Sequence, residues 1–382
     1  MRLLLISQDF PPDIGGTQTY AYELARRLAG RCEDFAVIAP ALPGAEAVDA
    51  TLPCEVVRVP TTHNGFGFEV WKHVLKMTRR RGFEAALHVQ WSSAPSTIFA
   101  ARPLGGPRHI FVAAHGRELL LDPLVGKRVL RALYHRARAY VMRHADALFP
   151  VSAYTRRLLL ERGVPPDRIT VIHNGADPDQ FYPADAQDLR DELGLDHQKV
   201  ILTVSRLVQR KGIDTVLRAL PQVAHHIPDV RYLIGGNGPD RERLEALSRD
   251  LKLTDRVHFV GAIPHEDLHR YYNACDVFVM PSREDRPYVE GFGIAFLEAN
   301  ACGKPVVGAR TGGIPDAVRH GETGLLVEPD DEAGLADALL RLLCDPPLAT
   351  RLGRNGRRRV REEASWQHVA QQLYDAMARR MK

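Results

Sequence analysis

The stretch VEGFGIAFLEANACGKPVV, residues 289–307, places two glutamates eight positions apart around a glycine-flanked aromatic residue. The pattern predicts a helix that begins near Ile294, so that Glu290 lies in the loop before it and Glu298 one turn inside it. The first N–H groups of a helix have no partner within it, so a phosphate can bind there, and carboxylates accept hydrogen bonds from vicinal hydroxyls. Helix-dipole stabilisation, worth about 0.3–1 kcal/mol, explains either acid alone but not the turn between them.

Length and composition indicate an ordinary globular protein of two domains. The chain has 382 residues, of which 45% are apolar and 26% charged, and its net charge is +4. A single core rarely grows beyond about 250–300 residues. The five cysteines form no CxxC pair, which argues against a disulfide framework or a zinc site and favours a reducing cytoplasm. No apolar run approaches the ~20 residues of a membrane-spanning helix, and the opening MRLLLIS is interpreted as a strand.

Short apolar runs alternate with segments of helical periodicity, which is typical of an α/β protein with parallel sheets. Strands are expected in the first half from residues 3–7 to residues 169–172, and the pattern restarts with a strand at residues 199–205. Two Rossmann-like domains in tandem are the simplest account. Ligands of such sheets bind beyond the carboxyl ends of the strands, so we expect the site in a central cleft that both domains face.

Glycine-rich and basic loops follow several of these strands. Gly15 and Gly16 lie between the first strand and a helix, where glycine lets a ligand approach the backbone. Arg206 and Lys211 follow the first strand of the second half, and two cations at a strand end suit a diphosphate. Each feature has a plainer alternative. The glycines are also compatible with a simple turn, and the cations, together with Arg210, with a solvated basic loop.

Three further features are less specific. The turn GGNGP, residues 235–239, either packs beneath a nucleoside or reverses the chain, and it is not the GxGxxG dinucleotide fingerprint. The triplet DPD, residues 177–179, has the form of a metal-binding DxD motif but is expected to be a turn. His115 stands at a strand end within the expected cleft, which favours a functional over a structural role.

Two helices of the first half, residues 69–81 and 123–143, are rich in Lys and Arg. The apolar residues interleaved with these charges are Trp71, Leu75, Leu130, Leu133 and Val141. The pattern suits either a solvated helix face or contact with an anionic membrane surface. The basic residues accompany no nucleic-acid-binding motif and no aromatic platform, so we expect no nucleic-acid partner.

Together these motifs resemble the GT4 family of retaining glycosyltransferases, which have the GT-B fold. EGFGIAFLEA carries the family's E-x7-E pattern at Glu290 and Glu298, and the other motifs follow in the family's order over nearly the whole chain. The segment PSREDRPYVEGFGIAFLEANACGKPVV looks most like bacterial phosphatidylinositol mannosyltransferases. The resemblance implies an acceptor domain at residues 1–180 and a nucleotide-sugar domain at residues 181–364. It also implies a last helix, residues 365–382, that crosses back to the first domain.

The resemblance also implies roles for individual residues. Arg206 and Lys211 would bind the diphosphate and stabilise the leaving nucleotide. Glu298 would hold the ribose hydroxyls, and Glu290 would contact hydroxyls of the transferred sugar. His115 would lie near the anomeric centre or the 6-hydroxyl of that sugar. These implied catalytic residues are thus His115, Arg206, Lys211 and Glu290.

Further contacts to the donor are implied for a second set of residues. Its members are Gly15, Gly16, Val260, Met280, Phe292, Gly293 and Ile294. Within this set, Gly15 and Gly16 would close over the diphosphate, and the strand ends at Val260 and Met280 would border the base. Asp13, with His115, would bind the acceptor.

The implied reaction moves a hexose from a nucleotide sugar to a lipid-linked or other glycan acceptor with retention of configuration. GDP-mannose is the favoured donor, and a UDP-sugar is the alternative. The two cations would make a metal ion unnecessary. The enzyme would be cytoplasmic, with peripheral contact to the inner face of the membrane as a hypothesis.

Three other functions remain alternatives at this point. A glycoside hydrolase also uses two carboxylates but has no use for Arg206 and Lys211. A nucleic-acid-binding protein would use the basic helices alone. A GT-B epimerase or phosphorylase shares the fold and would work without a separate acceptor or on free phosphate.

Overall fold

The computed structural model describes residues 1–61, 63–122 and 128–382. These residues form two compact units. The first comprises Met1–Asn174 together with Trp366–Lys382, and the second comprises Gly175–Ser365. Each unit is built on one six-stranded sheet.

The sheet of the first unit is parallel throughout. Its strands are β1 (Arg2–Ile6), β2 (Asp34–Pro40), β3 (Glu55–Val59), β4 (Ala85–His88), β5 (His109–Ala114) and β6 (Ala147–Pro150). Their order is β3-β2-β1-β4-β5-β6, so the strand sequence reverses direction between β1 and β4. Leu3, Leu4 and Leu5 of β1 are fully buried, as expected for a strand covered on both faces.

The sheet of the second unit repeats this design. Its strands are β7 (Lys199–Val204), β8 (Val230–Gly235), β9 (Val257–Gly261), β10 (Val277–Met280), β11 (Val306–Ala309) and β12 (Gly324–Val327). They are parallel in the order β12-β11-β10-β7-β8-β9. Counted within the unit, both sheets have the Rossmann order 3-2-1-4-5-6, and in the second the reversal falls between β7 and β10. The two Rossmann-like domains predicted from the sequence are therefore confirmed.

The helices connect the strands in the alternating manner that the sequence predicts. They are α1 (Gly16–Leu28), α2 (Ala45–Asp49), α3 (His63–Arg81), α4 (Ala94–Ser96), α5 (Arg117–Leu120), α6 (Arg128–His144), α7 (Ala153–Leu160), α8 (Gln187–Glu192), α9 (Ile213–His226), α10 (Arg241–Asp250), α11 (Leu268–Ala274), α12 (Ile294–Ala301), α13 (Ile314–Ala317), α14 (Glu332–Cys344), α15 (Pro346–Glu362) and α16 (Trp366–Met381). Among the described residues, none of the helices has the length and apolarity needed to cross a bilayer.

The two basic helices differ from the predicted segments at their starts. α3 begins at His63, six residues before the predicted start at 69. α6 occupies Arg128–His144, and the predicted residues 123–127 lie outside the described part of the chain. α16 packs on α1, where the buried rings of Trp366 and Tyr20 meet edge-on with centroids 6.0 Å apart.

The predicted strand at residues 169–172 is wrong. This segment runs beside β6 and donates two backbone hydrogen bonds, from Thr170 N to Leu148 O at 3.1 Å and from Ile172 N to Pro150 O at 3.0 Å. It forms only an isolated bridge, between Leu148 and Ile169. The next bond of the ladder would need an N–H donor at residue 150, and proline has none, so the pairing stops there.

The GGNGP turn after β8 packs tightly against the loop after β7. A Cβ on Gly236 would lie 1.9 Å from Ser205 O, and one on Gly238 would lie 2.1 Å from Leu207 O. Leu207 N donates to Asn237 O at 2.9 Å, which fastens the two loops together. The turn therefore supports the backbone on either side of Arg206.

Gly236 also has φ +131, a conformation that other residues rarely adopt. We expect Gly236→Ala to lower the free energy of unfolding by more than about 2 kcal/mol, because strain and the clash with Ser205 add. Gly30→Ala is the matched control, since a Cβ there meets nothing within 4 Å and the backbone needs no positive φ. Urea titrations of both variants check this, and equal stabilities would contradict it.

Candidate functional site

Three cations lie in the loop between β7 and α9. Arg206 is exposed, whereas Arg210 and Lys211 are partly buried in a single helical turn, Gln209–Lys211. α9 then begins after Gly212, whose φ is +70, and a Cβ at Gly212 would lie 2.2 Å from Pro281 O. The close approach shows that the cation loop abuts the segment that follows β10.

Glu290 lies in the segment that follows β10 and contacts two of these cations. Lys211 Nζ donates to Glu290 Oε2 at 2.5 Å, and Arg210 Nη1 lies 3.4 Å from the same oxygen. The Lys211 and Glu290 side chains are only 12% and 15% exposed, so little solvent screens the pair. Glu290 O also accepts from Gly313 N at 2.8 Å, which anchors the loop that carries the carboxylate.

The charges of this cluster set its protonation states. Burial acts to raise the pKa of Glu290, but the positive charges of Lys211 and Arg210 outweigh it and hold the pKa below its ordinary value. Burial lowers the pKa of Lys211, the attraction of Glu290 opposes this, and the repulsion of Arg210 adds to it. At neutral pH the two groups form an ion pair, with Arg210 as a second partner of the carboxylate.

The EGFG turn directs the chain from Glu290 into α12. Gly293 caps the helix with φ +95, and a Cβ there would lie 2.7 Å from the ring of Phe296. Phe292 is buried, with 2% of its surface exposed. The predicted helix start at Ile294 is confirmed. The N–H groups of the first turn of α12 therefore point out beyond the strand ends, where a phosphate can be bound.

Glu298 lies in a different environment from Glu290. It is on α12 with 9% of its surface exposed, and Tyr272 Oη donates to its Oε2 at 2.7 Å. The two acids of the motif thus have separate partners, as expected from their placement in the loop and in the helix.

The remaining residues predicted for the second unit lie at the same edge of the sheet. Within the part of the chain that the structure describes, the Arg206 side chain forms no hydrogen bond or ion pair. Met280 ends β10, and its Sδ is 3.4 Å from Lys211 Nζ. Val260 lies in β9, next to Gly261, whose carbonyl accepts from Gly236 N at 2.6 Å.

The residues predicted for the first unit follow the carboxyl ends of β1 and β5. Gly15 and Gly16 stand at the start of α1, with Asp13 exposed just before them. His115 follows β5, and its Nε2 donates to Val89 O at 3.1 Å, which fixes the proton on that nitrogen. Burial lowers the pKa of His115, so its imidazole is neutral at physiological pH. Tyr20 packs edge-on against the ring, with centroids 4.8 Å apart.

The DPD triplet forms a turn, as predicted. Asp177 is buried, and its Oδ1 accepts from Asp179 N at 3.0 Å. Asp177 O accepts from Phe181 N at 2.8 Å. The first carboxylate therefore holds the local backbone.

Two residues that contact the glutamates of the motif were not predicted as site residues. Arg210 was named only within the alternative of a solvated basic loop, yet its Nη1 lies 3.4 Å from Glu290 Oε2. Tyr272 gave no signal, because its hydrogen bond spans 26 residues from α11 to α12. Basic residues beside a predicted phosphate loop are the signal that could have identified Arg210.

Families of glycosyltransferases match both halves of the chain. Residues 185–359 match the family described as "Glycosyl transferases group 1", and residues 14–180 match "Glycosyltransferase Family 4".

Relatives with full-length similarity have mannosyltransferase names. The GDP-mannose-dependent alpha-(1-6)-phosphatidylinositol monomannoside mannosyltransferase of Mycobacterium tuberculosis is 34% identical, with 98% of this chain and 97% of the relative covered. The GDP-mannose-dependent monoacylated alpha-(1-6)-phosphatidylinositol monomannoside mannosyltransferase of Corynebacterium glutamicum is 31% identical, with 97% and 96% covered.

Solved structures with this fold include sucrose-phosphate synthase from Thermosynechococcus elongatus. It has a TM-score of 0.77 at 26% identity, with 99% of each chain covered. HepE from Anabaena, in complex with UDP, has a TM-score of 0.82 at 22% identity, with 99% of this chain and all of the other covered, and supports the fold alone. The chain therefore belongs to the GT4 family of glycosyltransferases and has the GT-B fold of two Rossmann-like domains.

Proposed function

We propose that this glycosyltransferase moves mannose from GDP-mannose to a phosphatidylinositol-linked acceptor, with retention of configuration and without a metal ion. The observation that carries the proposal is the full-length similarity to enzymes named for this donor and this lipid. The similarity includes the whole second unit, in which the cations and the two glutamates lie. HepE from Anabaena, which was solved with UDP, has only 22% sequence identity to this chain, so it does not favour a UDP-sugar as the donor.

The cations of the β7–α9 loop act on the leaving group. Negative charge grows on the diphosphate as the bond to the sugar breaks, and fixed cations stabilise that charge more strongly in the transition state than in the ground state. Arg206 is exposed and unpaired among the described residues, so it is free to bind phosphate oxygens. Lys211 and Arg210 supply further positive charge, which is the role that a divalent metal would otherwise have.

Glu290 has two tasks in this proposal. It keeps Lys211 in place before the donor binds, and it accepts hydrogen bonds from hydroxyls of the transferred sugar. The amides of Phe292, Gly293 and Ile294 add contacts to phosphate and sugar. Val260 and Met280 border the base.

Residues of the first unit bind the acceptor. We assign this task to Asp13 and to His115, whose neutral ring keeps its proton on Nε2 through the bond to Val89 O. His115 contacts the reacting sugar, and Gly15 and Gly16 let the backbone approach the diphosphate.

A lipid acceptor requires access to a membrane surface, and α6 offers a suitable face. Val129, Leu130 and Leu133 are 73%, 50% and 57% exposed, beside the exposed cation Arg136. Apolar side chains next to basic ones suit an anionic bilayer surface. On α3, the two apolar residues predicted there do not form such a face, because Leu75 is buried and Trp71 is partly buried, and Phe68 is 78% exposed as a single apolar residue.

Arg206→Ala should abolish stabilisation by nucleotide without affecting the apo protein. We expect GDP to raise the melting temperature of the wild type by several degrees and of the variant by less than one, since the lost contact is to phosphate. Melting curves with GDP, UDP and ADP measure this. Arg249→Ala, which removes an exposed arginine of α10, is the control and should behave as the wild type. Equal GDP shifts in all three proteins would contradict the assignment.

Lys211→Met should affect stability and turnover together. The substitution leaves the buried carboxylate of Glu290 with a single cation. We expect the free energy of unfolding to fall by about 2 kcal/mol. We expect kcat to fall about 100-fold, because a cation near the leaving diphosphate is lost. The double variant Lys211→Met, Glu290→Gln should regain stability but not activity.

The difference in unfolding free energy between the wild type and Lys211→Met has a defined pH dependence. The pKa of Glu290 is lower in the folded protein, so its stabilisation is present above the ordinary value of about 4.3 and is lost as the pH falls through the folded-state value. The stability difference between wild type and Lys211→Met should therefore shrink on acidification below pH ~4. Urea titrations at neutral and acidic pH measure it, and a difference that grows in acid would refute the pairing.

Leu133→Glu should weaken binding to vesicles of phosphatidylglycerol and phosphatidylinositol by about tenfold, because it places a negative charge on the proposed contact face. Tyr182→Glu, at a 46% exposed aromatic residue of the second unit, is the charge-matched control. Co-sedimentation with the vesicles gives the bound fraction. If neither the wild type nor the control sediments with them, the membrane proposal fails.

A further inference from the structure

Glu298 receives a hydrogen bond from a residue that has no place in the E-x7-E motif. Tyr272, in α11, is fully buried, and its hydroxyl donates to Glu298 Oε2 at 2.7 Å. A carboxylate that is itself 91% buried needs such donors to remain ionised. The hydrogen bond from Tyr272 therefore favours the ionised form of Glu298 and also fixes the position of its carboxylate.

The ring of Tyr272 is fixed by other aromatic side chains. Phe181 and Phe278 each meet it edge-on, with centroids 5.7 Å away at interplanar angles of 76° and 65°. Phe278 in turn meets Phe296 of α12 at 5.6 Å and 86°. This packing connects α11 to the helix that carries Glu298, so the phenol cannot turn away from the carboxylate without disrupting the aromatic cluster.

The phenol remains a donor at every physiological pH. Burial raises the pKa of Tyr272 well above its ordinary value, and the negative charge of Glu298 raises it further. The bond turns Oε2 towards α11 and so fixes the plane of the carboxylate. A carboxylate in a fixed plane can accept hydrogen bonds from a diol without first losing side-chain freedom.

We propose that Tyr272 is a positioning residue that orients Glu298 for the ribose hydroxyls of the donor nucleotide. The inference rests on the proposed function and on the contact with the ribose hydroxyls that the family resemblance implies for Glu298. It adds that discrimination between ribose and deoxyribose depends on a phenol that does not touch the ligand. A purely structural role for Tyr272 would change the affinity for all nucleotides by the same factor.

The test is a cycle of protein variants and ligands. Isothermal titration calorimetry measures the affinities of wild type, Tyr272→Phe and Glu298→Gln for GDP, 2′-deoxy-GDP and 3′-deoxy-GDP, with the three uridine analogues in parallel. The wild type should prefer the ribonucleotide over at least one deoxy analogue by about 10-fold or more, as a hydrogen bond to a charged group predicts. In Tyr272→Phe, which keeps the ring and its packing, that ratio should fall below about threefold.

Tyr232→Phe is the matched control. Tyr232 is also fully buried in the second unit, and its hydroxyl lies 2.8 Å from Thr203 Oγ1 instead of a carboxylate. Its removal should leave the ribose-to-deoxyribose ratio at the wild-type value. Melting curves of each variant identify any that does not fold.

The outcomes separate the inference from the proposed function. An unchanged ratio in folded Tyr272→Phe overturns the inference while GDP binding stands. A wild-type ratio in Glu298→Gln overturns it too, even if Tyr272→Phe does not fold, because Glu298 would then not hold the ribose. Wild-type protein that binds GDP without discrimination also overturns it. If the wild type binds no nucleotide at all, the proposed function fails with it.

Discussion

The ion pair between Lys211 and Glu290 is the contact on which the candidate site depends. The two residues are 79 positions apart, and they meet only because β7 pairs directly with β10. Such pairing at the centre of the sheet brings the loops after the two strands to one place, where the Rossmann strand order reverses. A cation loop and an acidic loop thus form one cluster, in which the carboxylate of Glu290 is paired with two cations and positive charge remains in excess.

The two glutamates of the motif differ in their surroundings, and the difference follows from the glycine turn between them. Glu290, before the turn, is held by cations at the strand ends. Glu298, inside α12, is buried against a phenol and aromatic rings. One spacing in the sequence therefore produces a charge-paired acid and a hydrogen-bonded acid, which suits a ligand with a phosphate and hydroxyl groups at different points along its length.

Local patterns determined most of what the sequence could predict. The strands of the two sheets, the start of α12 at Ile294 and the turn at residues 177–179 depend on nearby residues, and they were predicted correctly, with the segment 169–172 as the exception. The segment 169–172 was misassigned because its partner strand ends in a proline, a property of β6 and not of the segment itself. The early start of α3 was missed because Gly65 and Gly67, residues that disfavour a helix, lie in its first two turns.

Contacts between distant segments could not be predicted in the same way. The resemblance to a family supplied Glu290 and Lys211 as separate residues, but their bond to each other depends on strand order. Arg210 looked like one more charge in a basic loop until the position of Glu290 was known. The phenol of Tyr272 lies on a helix with no motif of its own, so only the packing of α11 against α12 reveals it.

The most direct test of the central claim is the product of the reaction itself. Purified protein is incubated with GDP-mannose and a phosphatidylinositol mannoside in mixed micelles, and the product is examined by NMR at the new anomeric centre. We expect a single added mannose in the α configuration, as in the donor. No transfer, transfer from UDP-sugars alone, or a β-linked product would contradict it.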